Sequence, residues 1–274
     1  MGASAGGFEA FRELLKALPS DTGLALVLVQ HLDPGHESLL AKLLSKATTM
    51  PVAEVEEGMT VEPNHVYVIP PNKTMGIRNG TLHLMARGEP TAKHLPIDYF
   101  LTSLAADRGN RAIGVILSGT ASDGTMGLKA IKSEGGITFA QDIKSAKYDG
   151  MPRSAIAAAC VDFVLPPEGI ASELARIGRH PYLGIEPPAQ AEELVDDRDD
   201  ELRKIFVVLQ RATGVDFTYY KYSTIKRRIA RRMLLHKLES LKQYLQFLHD
   251  DPAEPAALCE DILIHVTGFF REPE

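Results

Sequence analysis

Short apolar runs alternate with longer amphipathic patterns through the first two thirds of the chain, and no other sequence feature limits the fold as strongly. Residues 24–30, with the sequence LALVLVQ, are typical of a strand that is buried on both faces. Comparable runs recur with helical patterns between them. The alternation predicts an α/β fold, in which a mostly parallel, doubly wound sheet carries helices on both faces.

The further predicted elements follow one another at short intervals. Strands are expected at 65–69, 111–117, 137–140 and 161–165. A hairpin is expected over 75–84, because Asn79-Gly80 between alternating segments is a strong turn signal. Helices are expected at 8–18, 37–47, 96–106, 124–133, 152–159 and 168–177.

The pattern changes after residue 181. Pro187-Pro188 and the acidic run 192–201 predict a linker over 182–200, although the last acidic residues fit the first turn of a helix equally well. The rest, 201–274, is predicted to be a small all-helical domain. Its helices are expected at 202–212, 223–235, 241–249 and 255–266.

Composition excludes several classes of protein. A formal net charge of −6 gives no general indication of nucleic-acid binding. Cys160 and Cys259 are the two cysteines, and their separation fits neither a metal site nor a disulfide framework. With no apolar run long enough for a membrane span and no signal-peptide pattern, we expect a cytoplasmic protein without membrane insertion, metal or cofactor.

A serine lies in a glycine-rich turn before the first predicted helix. Ser4 lies within GASAGG, where small residues allow a sharp turn from strand to helix. Such a turn lifts the hydroxyl to the carboxyl edge of the sheet, beside helix amides that can hold an oxyanion. A phosphate-binding glycine turn and a plain tight turn are the alternatives.

Two further polar residues follow strands and are expected at the same edge. His31 comes directly after the second strand, and Asp123 lies just past the strand at 111–117. Ser4 as nucleophile, His31 as base and Asp123 as its orienting carboxylate would form a triad. A structural histidine, an Asp123 that caps the helix from Gly124, and His36 as a rival base are alternatives.

These segments together resemble a known family. GASAGG, VLVQH, VYVIPPNKTM, VILSGTASDGTMGLKAIKSEGG, AQD and GMPRSAIAA are similar, in this order, to the catalytic domain of CheB-type protein-glutamate methylesterases. The resemblance implies the same roles for Ser4, His31 and Asp123. It also implies a substrate, glutamate γ-methyl esters on the cytoplasmic helices of methyl-accepting chemotaxis receptors, and receptor glutamine deamidation as a second activity.

Three departures from the family pattern concern the reaction centre. Ala5 stands where many members have threonine, and Thr120 stands where many have methionine; both positions border the reaction centre in the family. Members also have an apolar strand before the serine motif, whereas this chain opens at Met1. We therefore expect a weaker esterase than a chain with that strand, since small misplacements are costly in catalysis.

Residues 202–274 resemble the N-terminal helical domain of CheR-type methyltransferases, through LQRATGVDFTYYKYSTIKRRIARRM and HVTGFFREPE. No glycine-rich nucleotide loop follows, so we expect no methyltransferase activity. The resemblance implies that a basic helix face contacts the receptor, and an ordinary solvated face is the alternative. The candidate receptor-binding residues are Lys226, Arg227, Arg228, Arg231 and Arg232.

Two other functions compete with the methylesterase. One is a catalytically weakened module that docks a receptor or a histidine kinase. The other is a serine hydrolase of a different ester, because a triad by itself does not name its substrate.

Overall fold

The structure is a computed structural model, and it describes residues 1–31, 39–87, 94–179, 200–217 and 220–263. The chain divides into two compact units, residues 1–179 and 180–274, and each is described by itself. In the described ranges, no helix is both long and apolar enough to cross a membrane.

The first unit contains ten strands, six α-helices and a short 3-10 turn within its described residues. The strands are β1 (Gly2–Ala3), β2 (Leu26–Gln30), β3 (Val52–Glu54), β4 (Met59–Thr60), β5 (Val66–Val68), β6 (Lys73–Arg78), β7 (Thr81–Ala86), β8 (Ile113–Ile116), β9 (Ile137–Gln141) and β10 (Phe163–Leu165). The helices are α1 (Gly7–Ala17), α2 (Leu40–Leu44), α3 (Pro96–Arg108), α4 (Thr125–Ser133), α5 (Gly150–Ala157) and α6 (Pro167–Gly178).

Seven strands form one sheet in the order β10-β9-β8-β1-β2-β5-β3, and every pair is parallel. The short β1 is central, with Gly2 in register with Val29 of β2 and with Ile116 of β8. The parallel α/β sheet is the predicted one. Because parallel strands end at the same edge, the residues that follow β1, β2 and β8 meet there.

The core confirms that the sheet is covered on both faces. Val27 and Val29 of β2 belong to a hydrophobic core that includes α3 and α4 residues. Leu26 and Leu28 are equally buried but lie outside that core. Since side chains alternate along a strand, the two pairs face opposite sides, as the apolar run predicted.

A second, antiparallel sheet has the order β4-β7-β6. The predicted turn joins β6 to β7, with Asn79 and Gly80 at φ 51° and 74°. Left-handed values at both positions are the signature of a two-residue hairpin turn. The sequence analysis missed β3 and β4, because three and two residues are too few to show a period.

The second unit is helical, with α7 (Asp200–Thr213), α8 (Tyr222–Leu235), α9 (Leu241–Asp250) and α10 (Glu254–Leu263). All four helices contribute to one apolar core. Ser240 and Gln243 form a reciprocal capping box that starts α9. Asp200 and Glu201 form the first turn of α7, so the end of the acidic run is helical. Residues 182–199 of the predicted linker lie outside the described residues.

Candidate active site

Ser4 lies in the turn between β1 and α1, and glycine geometry sets the shape of that turn. Gly6, the residue before α1, has φ 73°, a left-handed value that strains other residues. A Cβ atom there would also lie 2.6 Å from the Ser118 Oγ. The turn therefore requires glycine, and it leaves Ser4 half-buried at the carboxyl end of the central strand.

The three residues proposed from the sequence lie within hydrogen-bond distance of one another at this edge. His31 Nδ1 is 3.1 Å from Ser4 Oγ, and His31 Nε2 is 2.7 Å from Asp123 Oδ2. The His31 side chain is 32% exposed, whereas that of Asp123 is 1% exposed. A buried carboxylate thus holds an imidazole that a substrate can reach.

The contacts of His31 determine where its proton lies. An ionised carboxylate only accepts hydrogen bonds, so the ring nitrogen that faces Asp123 must carry the hydrogen. In the neutral ring Nδ1 then keeps its lone pair, and that lone pair faces Ser4 Oγ. This arrangement can take a proton from the hydroxyl and stabilise the imidazolium that results.

Asp123 is held by the first turn of a helix that comes earlier in the chain. Its Oδ2 accepts a 3.1 Å hydrogen bond from the Ile97 amide, and its Oδ1 accepts a 2.9 Å bond from the Asp98 amide. Both amides belong to the start of α3, where N–H groups have no helical partner. Among the described residues, the hydrogen bonds of Asp123 go to His31 and to these α3 amides and not to an amide of α4, so they do not support the alternative role as a cap of α4.

Asp98 joins the two helices next to this carboxylate. Its Oδ1 accepts a 2.8 Å hydrogen bond from the Gly127 amide in α4. Burial raises the pKa of Asp98; the Gly127 amide opposes this shift, and the charge of Asp123 adds to it. Hydrogen bonds at Asp123 and at Gly127 therefore both join this region to α3.

Ser118 is a positioning residue that the sequence analysis did not identify. It is fully buried, and its Oγ donates to the Ala5 carbonyl at 2.8 Å and accepts from the Tyr148 amide at 3.0 Å. Its carbonyl also accepts the Ser4 amide at 3.0 Å. The sequence contained one signal for this role. Ser118 comes directly after a buried strand and opens the segment that ends at Asp123.

The two positions that depart from the family pattern lie near Ser4: Ala5 follows it directly, and Thr120 follows Gly119, where an added Cβ would lie 3.0 Å from Ser4 Cβ. Ala5 is half-buried at the turn, and its amide and that of Gly6 have no acceptor within the described residues. Such amides can receive an oxyanion. Thr120 is exposed and lines a shallow groove with Ala121 and Tyr148. His36, the rival base, lies outside the described residues.

Two protein-family models match this chain. The family model described as CheB methylesterase matches residues 1–174, which is more than half of the chain. The chain belongs to the CheB methylesterase family. A second model, the all-alpha domain of CheR methyltransferase, matches residues 200–263, so the esterase domain is followed by a CheR-type helical domain.

Relatives support this assignment. The crystal structure of the Thermotoga maritima CheB methylesterase catalytic domain matches with a TM-score of 0.60 and 31% identity, covering 64% of this chain and 95% of that one. A protein-glutamate methylesterase/protein-glutamine glutaminase of Bordetella parapertussis is 40% identical over 65% of this chain and 52% of its own length. A 104.1 kDa protein of Rhodobacter capsulatus is 39% identical over 86% of this chain and 26% of its own length. The chain thus spans about half or less of these two relatives.

The five basic residues of α8 do not share one solvent-exposed face. Lys226 is exposed and Arg227 is half-buried, whereas Arg228 and Arg231 are 5% and 1% exposed. Arg232 is also largely buried. The structure therefore corrects the expectation for these last three arginines, because the helix packs them inside its own unit. Receptor contact by Lys226 and Arg227 stays a prediction.

The buried arginines of α8 bind acids of α10. Arg231 Nη1 lies 2.8 Å from Asp261 Oδ2, and Arg232 Nε lies 2.8 Å from Glu254 Oε1. The Tyr244 hydroxyl donates to the same Glu254 oxygen at 2.7 Å. Burial alone would raise the pKa of Glu254, but bonds from His236, Arg232 and Tyr244 outweigh it and lower the pKa to about 2. These buried ion pairs therefore join α8 to α10.

Removal of one partner of the Arg231–Asp261 pair is expected to destabilise the helical unit by up to about 3–5 kcal/mol, because the remaining buried charge loses its 2.8 Å partner, although Arg232 Nη1 also lies 3.8 Å from Asp261 Oδ2. The double variant Arg231→Met/Asp261→Leu should cost much less than the two single changes added together. Hydrogen exchange of peptides from α8 and α10, followed by mass spectrometry in the full chain, measures both. Additive single effects would contradict the coupling.

Proposed function

We propose that this chain is a protein-glutamate methylesterase that hydrolyses glutamate γ-methyl esters on chemotaxis-receptor helices, with Ser4, His31 and Asp123 as its catalytic residues. One observation carries the proposal. A continuous set of hydrogen bonds runs from a buried carboxylate through an accessible imidazole to a hydroxyl in a glycine turn. The named activity of the relatives supports the choice of substrate bond.

The first half of the reaction forms an acyl-enzyme. Ser4 Oγ attacks the ester carbonyl carbon while its proton passes to His31 Nδ1, and Asp123 stabilises the imidazolium. The carbonyl oxygen becomes an oxyanion, which the amides of Ala5 and Gly6 are placed to receive. When the tetrahedral intermediate collapses, the bond to methoxide breaks, and methanol leaves with the proton from His31.

The second half regenerates the serine. Water attacks the acyl carbon, and His31 Nδ1 takes a proton from it. The bond from the acyl carbon to Ser4 Oγ then breaks, and the serine recovers its proton from His31. The product is a glutamate side chain. A glutamine amide would follow the same route with ammonia in place of methanol, so receptor deamidation belongs to the same proposal.

Methanol release from receptor-containing membranes, methylated beforehand on glutamate, tests the proposal. We expect the full chain to release methanol at a rate well above that of membranes alone. Parallel assays with a small soluble ester separate the alternatives. Activity on the small ester without release from receptor would indicate a hydrolase of another ester. No activity on either substrate would indicate a docking module and contradict the enzymatic proposal.

A further inference from the structure

His31 of the proposed triad also lines a cavity. Four segments converge on it: the end of β2, the loop that leads into β6, the residue after β7 and the approach to α3. The cavity has a volume of about 210 Å³. A single water needs only about 10–15 Å³, so the cavity has room for a side chain. Its lining residues are Gln30, His31, Pro70, Asn72, Lys73, Arg87, His94 and Pro96.

The described lining is basic and contains no acidic side chain. Lys73 and Arg87 are positively charged, and neither forms an ion pair within 4 Å among the described residues, although the charge of Lys73 also lowers the pKa of Glu57. Burial lowers the pKa of His94, Arg87 and His31 lower it further, and the charge of Asp123 opposes the shift. Two exposed cations therefore line a space that an anion can enter.

The hairpin register brings the two cations together. Lys73 at the start of β6 is paired with Ala86 at the end of β7, and Arg87 is the next residue along the chain. Both lie at the open end of the hairpin, whereas Arg78 and the turn lie at the opposite end. Five residues of strand, roughly 17 Å, separate Lys73 from Arg78.

The position of the cavity limits what it can bind during catalysis. His31 lines the cavity and also contacts Ser4 Oγ at 3.1 Å, so a group in the cavity lies beside the reacting ester. It is not the ester itself, because the carbonyl carbon must meet Ser4. A second group of the same substrate chain would reach this position, and two cations favour an anion.

We infer that Lys73 and Arg87 form a specificity subsite for the carboxylate of an acidic residue that neighbours the methyl ester in the substrate. This inference rests on the proposed function, since it concerns how the same active site selects its substrate. Esters with acidic neighbours are then bound and cleaved in preference to esters with neutral neighbours. The preference declines at high ionic strength, because salt screens exposed charges.

A pair of peptides tests the subsite. Both contain one γ-methyl glutamate, and its neighbours, adjacent and one helical turn away, are glutamate in one peptide and glutamine in the other. We expect kcat/KM in the wild-type chain to favour the acidic peptide roughly tenfold, as two partly exposed ion pairs would provide. In Lys73→Gln/Arg87→Gln the ratio should fall to about one.

Arg78→Gln is the control, because it removes one positive charge from the far end of the same hairpin and is compared with Lys73→Gln and Arg87→Gln singly as well as together. The ratio should keep its wild-type value in this variant. A wild-type ratio near one, a ratio unchanged in the double variant, or an equal fall in the control would each overturn the subsite.

Binding to Ser4→Ala distinguishes failure of the subsite from failure of the proposed function. Fluorescence anisotropy with labelled versions of the two peptides measures affinity when no hydrolysis occurs. Tighter binding of the acidic peptide that depends on Lys73 and Arg87 supports the subsite even if the wild-type chain cleaves neither peptide. Equal binding of the two peptides overturns the subsite, whatever the rate of hydrolysis.

Discussion

Replacement of Ser4 by alanine is expected to lower kcat for methanol release by roughly 10⁴- to 10⁶-fold, the range found when a serine nucleophile is removed from a triad. Within the described residues, the Ser4 hydroxyl is the group that His31 Nδ1 contacts, and in the proposed mechanism it forms the acyl-enzyme. Without it, His31 retains its lone pair but has no proton to accept. Single-turnover and steady-state assays on methylated receptor measure the loss.

The control is a serine of the same unit that lies far from the site. Ser172 is in α6, and its Oγ bonds only within that helix, to the Glu168 carbonyl at 3.0 Å. Ser172→Ala should retain the wild-type rate. The Ser4→Ala protein should also melt at nearly the wild-type temperature, because its hydroxyl is half-buried and contacts mainly His31. Equal rates in Ser4→Ala and wild type would refute the serine mechanism.

Asp123→Asn is expected to lower kcat by roughly 10⁴-fold with a smaller effect on folding. The wild-type carboxylate accepts three hydrogen bonds, from His31 Nε2 and from the amides of Ile97 and Asp98. Asparagine has one acceptor oxygen and one donor nitrogen. The wild-type Oδ2 accepts from both His31 and the Ile97 amide, and Oδ1 accepts from the Asp98 amide. If the asparagine oxygen keeps the Asp98 bond, the nitrogen faces His31 and favours the tautomer whose hydrogen points at Ser4.

Two measurements separate this tautomer effect from general disruption. Peptide binding should stay near the wild-type affinity, while the rate falls. The matched control is Asp21→Asn, which removes an exposed aspartate that pairs with Arg179 at 3.1 Å, and it should leave the rate unchanged. A wild-type rate in Asp123→Asn would show that His31 does not depend on this carboxylate for its orientation.

Most elements of the α/β unit could be predicted from the sequence, because they leave short-range signals. The apolar run before His31 is β2, and Asn79-Gly80 forms the predicted hairpin turn. The two strands that the sequence analysis missed lack such short-range signals. The strands at 52–54 and 59–60 are too short to carry a period, and their pairing with β5 and β7 defines them as strands.

In the helical unit, helical spacing and residue charge led the sequence analysis to expect exposed arginines that are in fact buried. Ile225 and Ile229, four residues apart in α8, lie on one face of the helix, and both are buried. The arginines were assigned to solvent because charged residues are rarely buried without a partner. Their partners, Asp261 and Glu254, lie 22 to 30 residues away in α10. No local pattern indicates such a pair.

The sequence by itself determined that Ser4, His31 and Asp123 each follow a strand, and parallel strands place their carboxyl ends at one edge. The order of strands, which puts β1 between β2 and β8, was decided only in the tertiary structure. So were the α3 amides on Asp123, the Ser118 bridge and the cationic cavity beside His31. The physical reason is that turn and strand signals arise from neighbouring residues, whereas these contacts join segments that only the packed sheet brings together.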